Sequence, residues 1–202
     1  MAEADNKFSE VVARRRAVAL AGYQDDEAAA RDGITDPSGD VRATALGALQ
    51  RMGRLSIGDL ETGLADQSPV VRRRACEIGA AIAVPGLVGA LRDPDALVVE
   101  AACFALGEQG EDAGPEVLPV LIQVASAHRD PLCREAAIAA LGAIGDEAGL
   151  STILAGLDDK PAIRRRAVIA LAPFEGPEVE QALAKAKADR DWQVRQAAED
   201  LS

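Results

Sequence analysis

Apolar residues recur along this chain with the period of a helix, and the whole pattern repeats about every thirty residues. Each repeat has an apolar residue, which we call the anchor, and an alanine four positions later; four repeats add Ala-Leu at positions seven and eight. Positions 0, 4, 7 and 8 lie on one face of an α-helix, so each repeat should contain one helix with an Ala/Leu stripe. The anchors are Ala13, Val41, Val71, Val98, Cys133, Ile163 and Val194.

The anchors lie 27 to 35 residues apart, and such regular self-similarity is typical of a stack of helical repeats. We expect the stripe helices to begin near residues 12, 40, 70, 97, 132, 162 and 193. Glycine follows the anchor by twelve positions at Gly53, Gly110 and Gly145, where a left-handed residue would end the helix. The alanines four positions after the anchors are Ala17, Ala45, Ala75, Ala102, Ala137, Ala167 and Ala198.

Shorter apolar patterns separate these helices, for example at 56–66, 84–93 and 149–159. Each predicts a first helix followed by a tight turn rich in Asp and Pro. One such repeat cannot bury its apolar face alone, so its neighbours must cover it. The sequence therefore predicts an all-α, right-handed α-solenoid of about seven helix–turn–helix repeats. We expect a single domain over residues 1–202, with 1–24 and 177–202 as terminal cap repeats.

Three stretches carry a family resemblance: DPSGDVRATALGALQRMG at 36–53, DPDALVVEAACFALGEQG at 93–110 and DPLCREAAIAALGAIG at 130–145. They resemble HEAT repeats, specifically the short bacterial PBS-lyase HEAT-like form. The resemblance covers roughly residues 6–202 and implies the fold more firmly than any function, because this family includes scaffolds, regulators and a few enzymes. Some relatives hold iron through paired His-Glu motifs, which a chain with one histidine cannot assemble. No residue matches a chromophore-lyase motif, and we expect no cofactor, no metal site and no catalytic residue.

Composition limits the compartment and the core. The chain is 49% hydrophobic but only 2% aromatic, so the core must be built from Ala, Leu, Val and Ile. No run of 18 apolar residues occurs, and MAEADNKFSE at the N-terminus lacks the apolar region of a signal peptide. Three cysteines without a CxxC motif suit reduced thiols, and we expect a cytoplasmic protein. Cys76 and Cys103 lie five positions after their anchors, where other repeats have Val, Leu or Ile, and Cys133 is itself an anchor. All three should be core residues rather than metal ligands or redox groups.

Arginine triplets at 14–16, 72–74 and 164–166 stand out in a chain whose net charge is -11. The first arginine of each triplet follows an anchor, and an aspartate five residues before the anchor recurs in the turns. We interpret these residues as a structural ladder of Asp–Arg pairs along the stack, rather than as a ligand site. Besides Arg14, its members are Asp36, Arg42, Asp66, Arg72, Asp93, Arg134, Asp158, Arg164, Asp189 and Arg195.

The second arginine of each triplet belongs to a row that points away from the stripe, on the concave face of the predicted stack. Residues 75–128 hold eight acidic residues and one basic residue, which favours a partner with a basic surface or segment and disfavours nucleic acid. Phe104 and Ile169 are apolar where a solvated face would be polar, and we interpret them as contact residues. The predicted protein-binding row is Arg15, Arg73, Glu77, Glu100, Phe104, Glu135, Arg165 and Ile169.

The function that this pattern favours is a non-enzymatic protein-binding scaffold or adaptor. Two alternatives stay open: a chromophore lyase or enzyme-associated regulatory subunit, implied by the resemblance alone, and a nucleic-acid-binding protein. Gly22, Gly107 and Gly142 lie nine residues after their anchors and are expected to let a partner approach closely. His128 should end a helix, and Trp192 should pack within the last repeat or else be a contact site.

Overall fold

The computed structural model describes the backbone of residues 2–201 and the side chains of residues 8–201, and the regular structure there is entirely helical. The chain divides into two compact units, which we call the N-terminal unit (up to Ala90) and the C-terminal unit (from Leu91). The helices of the N-terminal unit are α1 Ala2–Gln24, α2 Glu27–Gly33, α3 Gly39–Arg51, α4 Ile57–Leu64 and α5 Pro69–Gly79. Those of the C-terminal unit are α6 Ala96–Gln109, α7 Val117–Ala127, α8 Pro131–Ile144, α9 Leu150–Ala155, α10 Pro161–Ala170, α11 Pro177–Ala186 and α12 Trp192–Asp200.

The all-α helical-repeat fold predicted from the sequence is confirmed. Six of the seven stripe helices begin one residue before the predicted position, namely α3, α5, α6, α8, α10 and α12. Several first helices are short or partly 3₁₀, and this shortening keeps the repeats to about thirty residues. The 3₁₀ segments are Leu87–Arg92, Gly110–Ala113, Glu147–Gly149 and Gly156–Asp158.

The ends of the stripe helices follow from local chemistry. Pro131 opens α8 at a position where its missing N–H is not needed, and the Asp130 side chain accepts the Leu132 N–H at 3.0 Å. Gly145 ends α8 with φ +71°, a left-handed conformation that favours glycine. Gly53 and Gly110 also have positive φ, so the predicted glycine stops are confirmed.

The prediction for the first stripe helix is wrong. We expected it to begin near residue 12, but α1 already begins at Ala2. Residues 2–21 contain neither glycine nor proline, so nothing in the sequence interrupts the helix before it reaches the stripe.

The buried stripe is confirmed in six repeats and wrong in the first. Ala45, Ala75 and Ala137 have no exposed surface, as do the equivalent alanines of α6, α10 and α12, whereas Ala17 is exposed. The stripe alanine packs on the first helix of its own repeat: a Cβ added at Gly63 of α4 would lie 3.1 Å from the Ala75 Cβ. Within residues 2–201 no helix precedes α1, so the corresponding face of α1 has nothing to cover it.

The cysteines and the histidine have the predicted structural positions. Cys76, Cys103 and Cys133 are buried and form no disulfide. Burial raises the pKa of the Cys133 thiol to about 11, so it is protonated at neutral pH. His128 caps the C-terminus of α7. No group of three or more His, Cys, Asp or Glu side chains among the described residues could hold a metal ion. Of the helices in residues 2–201, none has the length and apolar character needed to cross a membrane.

Candidate functional site

The arginine that directly follows an anchor bonds both to the turn before its own helix and to the turn of the following repeat, as Arg42 shows. Arg42 Nε and Nη2 donate to the Asp66 carboxylate at 2.8 and 2.6 Å. Arg42 Nη1 donates to the backbone carbonyls of Asp36 and Pro37 at 2.8 and 3.1 Å. Only 9% of Arg42 is exposed. The guanidinium therefore fastens the turn before its own helix to the turn of the following repeat.

The same arrangement recurs in the C-terminal unit. Arg164 Nε and Nη2 each donate to the Asp189 carboxylate at 2.8 Å, and Nη1 donates to the Asp159 carbonyl at 3.0 Å. Arg164 is 5% exposed. In the N-terminal unit, Arg14 Nε donates to Asp36 at 2.8 Å, but this pair is more exposed. Arginine is suited to this role because its planar fork matches a carboxylate in two parallel hydrogen bonds.

Each ladder aspartate also orders its own turn. Asp66 Oδ1 accepts the Ser68 N–H at 2.7 Å, and Asp189 Oδ1 accepts the Asp191 N–H at 2.8 Å. Asp93 does the same for Asp95 at 2.9 Å. Arg72 and Arg195 also donate to the carbonyls of Asp66 and Asp189 in the turn before their own helices, at 2.9 and 2.8 Å.

Sequence analysis assigned the wrong aspartate to one pair. Arg134 Nε and Nη2 bond to Asp159 at 2.7 and 2.9 Å, not to Asp158. The 3₁₀ helix Gly156–Asp158 runs almost directly into α10, so this turn is one residue shorter than the others and Asp159 occupies the ladder position. Asp158 instead lies 3.0 Å from Lys185 Nζ, and both side chains are well exposed.

The ladder is replaced by other contacts where repeat four meets repeat five. The position of the ladder arginine holds Val99, which is fully buried. The position of the matching aspartate holds His128, whose Nδ1 accepts the Asp130 N–H at 3.1 Å. His128 thus supplies the acceptor that the turn needs without a negative charge, and no arginine is present to require one. Both partners of an Asp–Arg pair are therefore replaced together at this junction.

The ladder changes the acidity of its carboxyl groups. The hydrogen bonds from Arg164 lower the pKa of Asp189, and those from Arg134 lower the pKa of Asp159, although partial burial acts in the opposite direction. A carboxyl group whose pKa is lower in the folded chain contributes stability above its unfolded pKa of about 4. That contribution is lost as the pH falls through the folded-state pKa.

Stability should therefore be sensitive to acid. We expect the free energy of unfolding to be nearly constant from pH 7 to about 5 and to fall between about pH 4 and 2, measured by urea denaturation at each pH. Asp189→Asn should make this fall shallower, because it removes one ion pair. Asp158→Asn is the control: the exposed Asp158 lies outside the ladder, and its loss should leave the profile unchanged. A profile that is flat below about pH 4 in the parent chain would contradict this reading.

The predicted binding row is already paired within the N-terminal unit. Arg15 Nε donates to Thr44 Oγ1 at 3.3 Å. Arg73 Nε donates to Glu77 at 2.9 Å, and Arg74 donates to the same carboxylate at 3.1 Å. These side chains are exposed or half-buried and are hydrogen-bonded, so they form a polar face.

The C-terminal unit gathers three of the predicted row residues in one recess of about 450 Å³. This recess, which we call the acidic recess, lies between α6 and α8. Its floor includes Ala136, Ala139 and Ala140, and its rim carries Glu100, Phe104, Glu108, Glu135 and Arg166. Phe104 is 57% exposed. Small floor residues and a large exposed ring leave room for a side chain from outside.

Only one of the three glutamates at the acidic recess has a cationic partner among the described residues. Glu135 lies 3.6 Å from Arg166 Nε. Glu100 and Glu108 make no ion pair with any residue of the described part of the chain. Two carboxylates beside an exposed aromatic ring can bind a cation, by charge and by a cation–π contact.

A second recess, of about 440 Å³, lies between α10 and α12. We call it the Trp recess; its apolar lining is Ile169, Trp192, Ala197 and Leu201. Its polar lining is Arg165, Gln193, Gln196 and Asp200. It contains the other two row residues of this unit and one that sequence analysis placed differently. We expected Trp192 to pack within the last repeat, but it is 65% exposed and opens α12. The sequence signal for this exposure was its position two residues before the anchor, where three other repeats have proline.

The glycines nine residues after the anchors have another role than the one we expected. A Cβ added at Gly107 would lie 3.0 Å from the Ala140 Cα, and one at Gly142 would lie 2.6 Å from the Ala170 Cα. These glycines therefore let successive stripe helices approach closely. Gly107 in addition lines the acidic recess.

Comparisons with known proteins agree with the repeat fold. A family model of HEAT repeats matches residues 84–172 and 118–201. A designed armadillo repeat protein in complex with the peptide (KR)4 superposes with a TM-score of 0.64, at 18% identity over 84% of this chain and 95% of that one. An engineered protein superposes with a TM-score of 0.61, at 19% identity over 87% of this chain and 94% of that one.

A natural protein, YibA of Escherichia coli, superposes with a TM-score of 0.62, at 18% identity over 83% of this chain and 66% of that one. Identities at this level establish the fold alone. No curated protein sequence matches the chain.

Proposed function

Since this chain belongs to the HEAT-repeat family, we propose that it is a non-enzymatic protein-binding scaffold or adaptor that binds through the exposed face of its stripe helices. In the C-terminal unit this face comprises the acidic recess and the Trp recess, with Glu100, Phe104, Glu135, Arg165 and Ile169 as contact residues. In the N-terminal unit the proposal retains Arg15, Arg73 and Glu77. Scaffolds of stacked repeats commonly use an extended helix face in this way.

One observation carries the proposal: Phe104 exposes more than half of its surface beside Glu100 and Glu108, two carboxylates without cationic partners among the described residues. Isolated exposed apolar residues are common on protein surfaces. Here the aromatic ring adjoins a recess with an alanine floor, and Ile169 and Trp192 are exposed at a second recess on the same face. Aromatic anchors in a recess are the usual source of binding energy at protein interfaces.

The partner should present basic side chains to the C-terminal unit. The acidic residues within 75–128 attract a basic segment at long range, and charge complementarity raises association rates more than it raises affinity. The structural likeness to a designed armadillo repeat protein in complex with the peptide (KR)4 is consistent with this chemistry, since that peptide is basic.

The proposal is tested by capturing a partner from the native host with the immobilised chain and then measuring its affinity for variants. Phe104→Ala should weaken binding by about tenfold or more, because a ring buried at an interface contributes over 1 kcal/mol. Ile57→Ala is the matched control, since Ile57 is 51% exposed on α4, outside the proposed row. Equal affinity of both variants and the parent chain would remove the site from this face.

A further inference from the structure

The two recesses of the C-terminal unit have different chemistry. The acidic recess carries Glu100 and Glu108 without cationic partners in the described chain. The Trp recess is lined mainly by the apolar surfaces of Ile169, Trp192 and Leu201. The first suits a cationic side chain with an aliphatic stem, which can lie on the Phe104 ring. The second suits a bulky apolar side chain.

The charge between the recesses has the opposite sign. Arg166 lies at the edge of the acidic recess and Arg165 at the edge of the Trp recess, both on α10. Arg165 forms no hydrogen bond or ion pair with the described residues, and Arg166 is held 3.6 Å from Glu135. A segment that crosses α10 should therefore be neutral or acidic in its middle. A uniformly basic segment would meet two arginines there.

The spacing of the helices sets the distance between the recesses. Helices α6, α8, α10 and α12 pack against one another in that order. The acidic recess lies between the first two and the Trp recess between the last two, so their centres are about two helix spacings, or roughly 16–20 Å, apart. An extended chain advances about 3.3 Å per residue, so about five or six residues cover this distance.

We propose that the C-terminal unit binds one extended protein segment in which a Lys or Arg side chain enters the acidic recess and a bulky apolar side chain enters the Trp recess, about five or six residues away. The residues between them are neutral or acidic. This inference rests on the proposed function and specifies its ligand. It differs from simple attraction of basic polypeptides, because it requires the apolar residue, the spacing and the absence of positive charge over α10.

The chain carries its own probe for this binding. Trp192 is its only tryptophan, and it lies 65% exposed in the Trp recess. Burial of the indole by an apolar side chain should shift its emission to shorter wavelength. The probes are synthetic peptides with one Arg and one Leu in a Gly/Ser/Glu background, in both orders, separated by three, six or nine positions.

We expect a saturable emission shift with the six-position peptide in one of the two orders. Replacing its Leu by Ser should weaken binding about tenfold, because a buried leucine contributes at least 1.5 kcal/mol. Glu100→Gln together with Glu108→Gln should weaken binding and reduce its salt dependence. Glu61→Gln, on the exposed side of α4, is the control and should change neither.

Several results would overturn the inference. The inference is wrong if the Trp192 emission does not shift at up to about 1 mM peptide and low salt. It is also wrong if binding does not depend on the Arg–Leu spacing, although the proposed function would then still stand. An emission shift that grows with protein concentration in the absence of peptide would assign the Trp recess to a second copy of the chain. If a captured partner binds Phe104→Ala as tightly as the parent chain, the proposed function fails, and the inference fails with it.

Discussion

Arg164→Ala should lower the free energy of unfolding by about 3 kcal/mol, whereas Arg165→Ala should change it by less than about 0.5 kcal/mol. Arg164 is 5% exposed and makes two hydrogen bonds to Asp189, whose side chain is also mostly buried. Removing the arginine leaves a carboxylate without its partner and a carbonyl without its donor. Arg165 is exposed and makes no such bond to the described residues.

The two arginines are neighbours in one triplet, so each variant is the control for the other. Urea denaturation followed by circular dichroism measures both, and Trp192 fluorescence reports on the adjacent α12 in the same experiment. Equal losses in the free energy of unfolding would mean that the position of an arginine in the triplet does not decide whether it stabilises the fold. A loss of less than about 1 kcal/mol for Arg164→Ala would show that the pair is no stronger than a surface ion pair.

Gly142→Ala should destabilise the chain by about 1–3 kcal/mol, even though alanine is the better helix former. The added Cβ would lie 2.6 Å from both the Cα and the Cβ of Ala170, and backbone cannot give way as a flexible side chain can. Helices α8 and α10 would have to move apart, and this movement would loosen their packing against α6 and α12.

Gly58→Ala is the matched substitution in open space. Gly58 lies in α4, is exposed, and its added Cβ would meet nothing closer than the Ser56 Oγ at 3.8 Å. It should stabilise the chain by about 0.5 kcal/mol through the unfolded state. If both glycine variants were stabilising, the close approach of α8 and α10 would be refuted.

The sequence predicted what depends on periodicity within one helix. The Ala/Leu stripe and the glycine stops repeat at fixed offsets, so the helix positions and the buried alanines from Ala45 to Ala198 were predictable. The exceptions lie where a repeat lacks a neighbour or changes length. Ala17 is exposed because no helix covers that face of α1 in the described chain, and Asp159 replaces Asp158 because a 3₁₀ turn shortens one connection.

The candidate site was less predictable from the sequence. The offset of a residue within its helix shows which way its side chain points, but it does not show which residues of the neighbouring helix that side chain meets. Phe104 and Ile169 were found from their unusual polarity at one offset, and the structure places each of them in a recess. Glu108 was missed, and Trp192 was given as a contact site only in second place, because the contribution of both depends on the gap between two helices. Gly142 was assigned to a partner because its small size was visible in sequence, whereas the Ala170 backbone against it was not.

The central claim is that a protein partner binds the exposed face of the stripe helices in the C-terminal unit. Amide hydrogen exchange of the full chain, free and saturated with its captured partner, tests this claim most directly. We expect slower exchange in α6, α8, α10 and α12, with α2 and α4 unchanged. Protection confined to the Asp–Arg turns or to the N-terminal unit would contradict it.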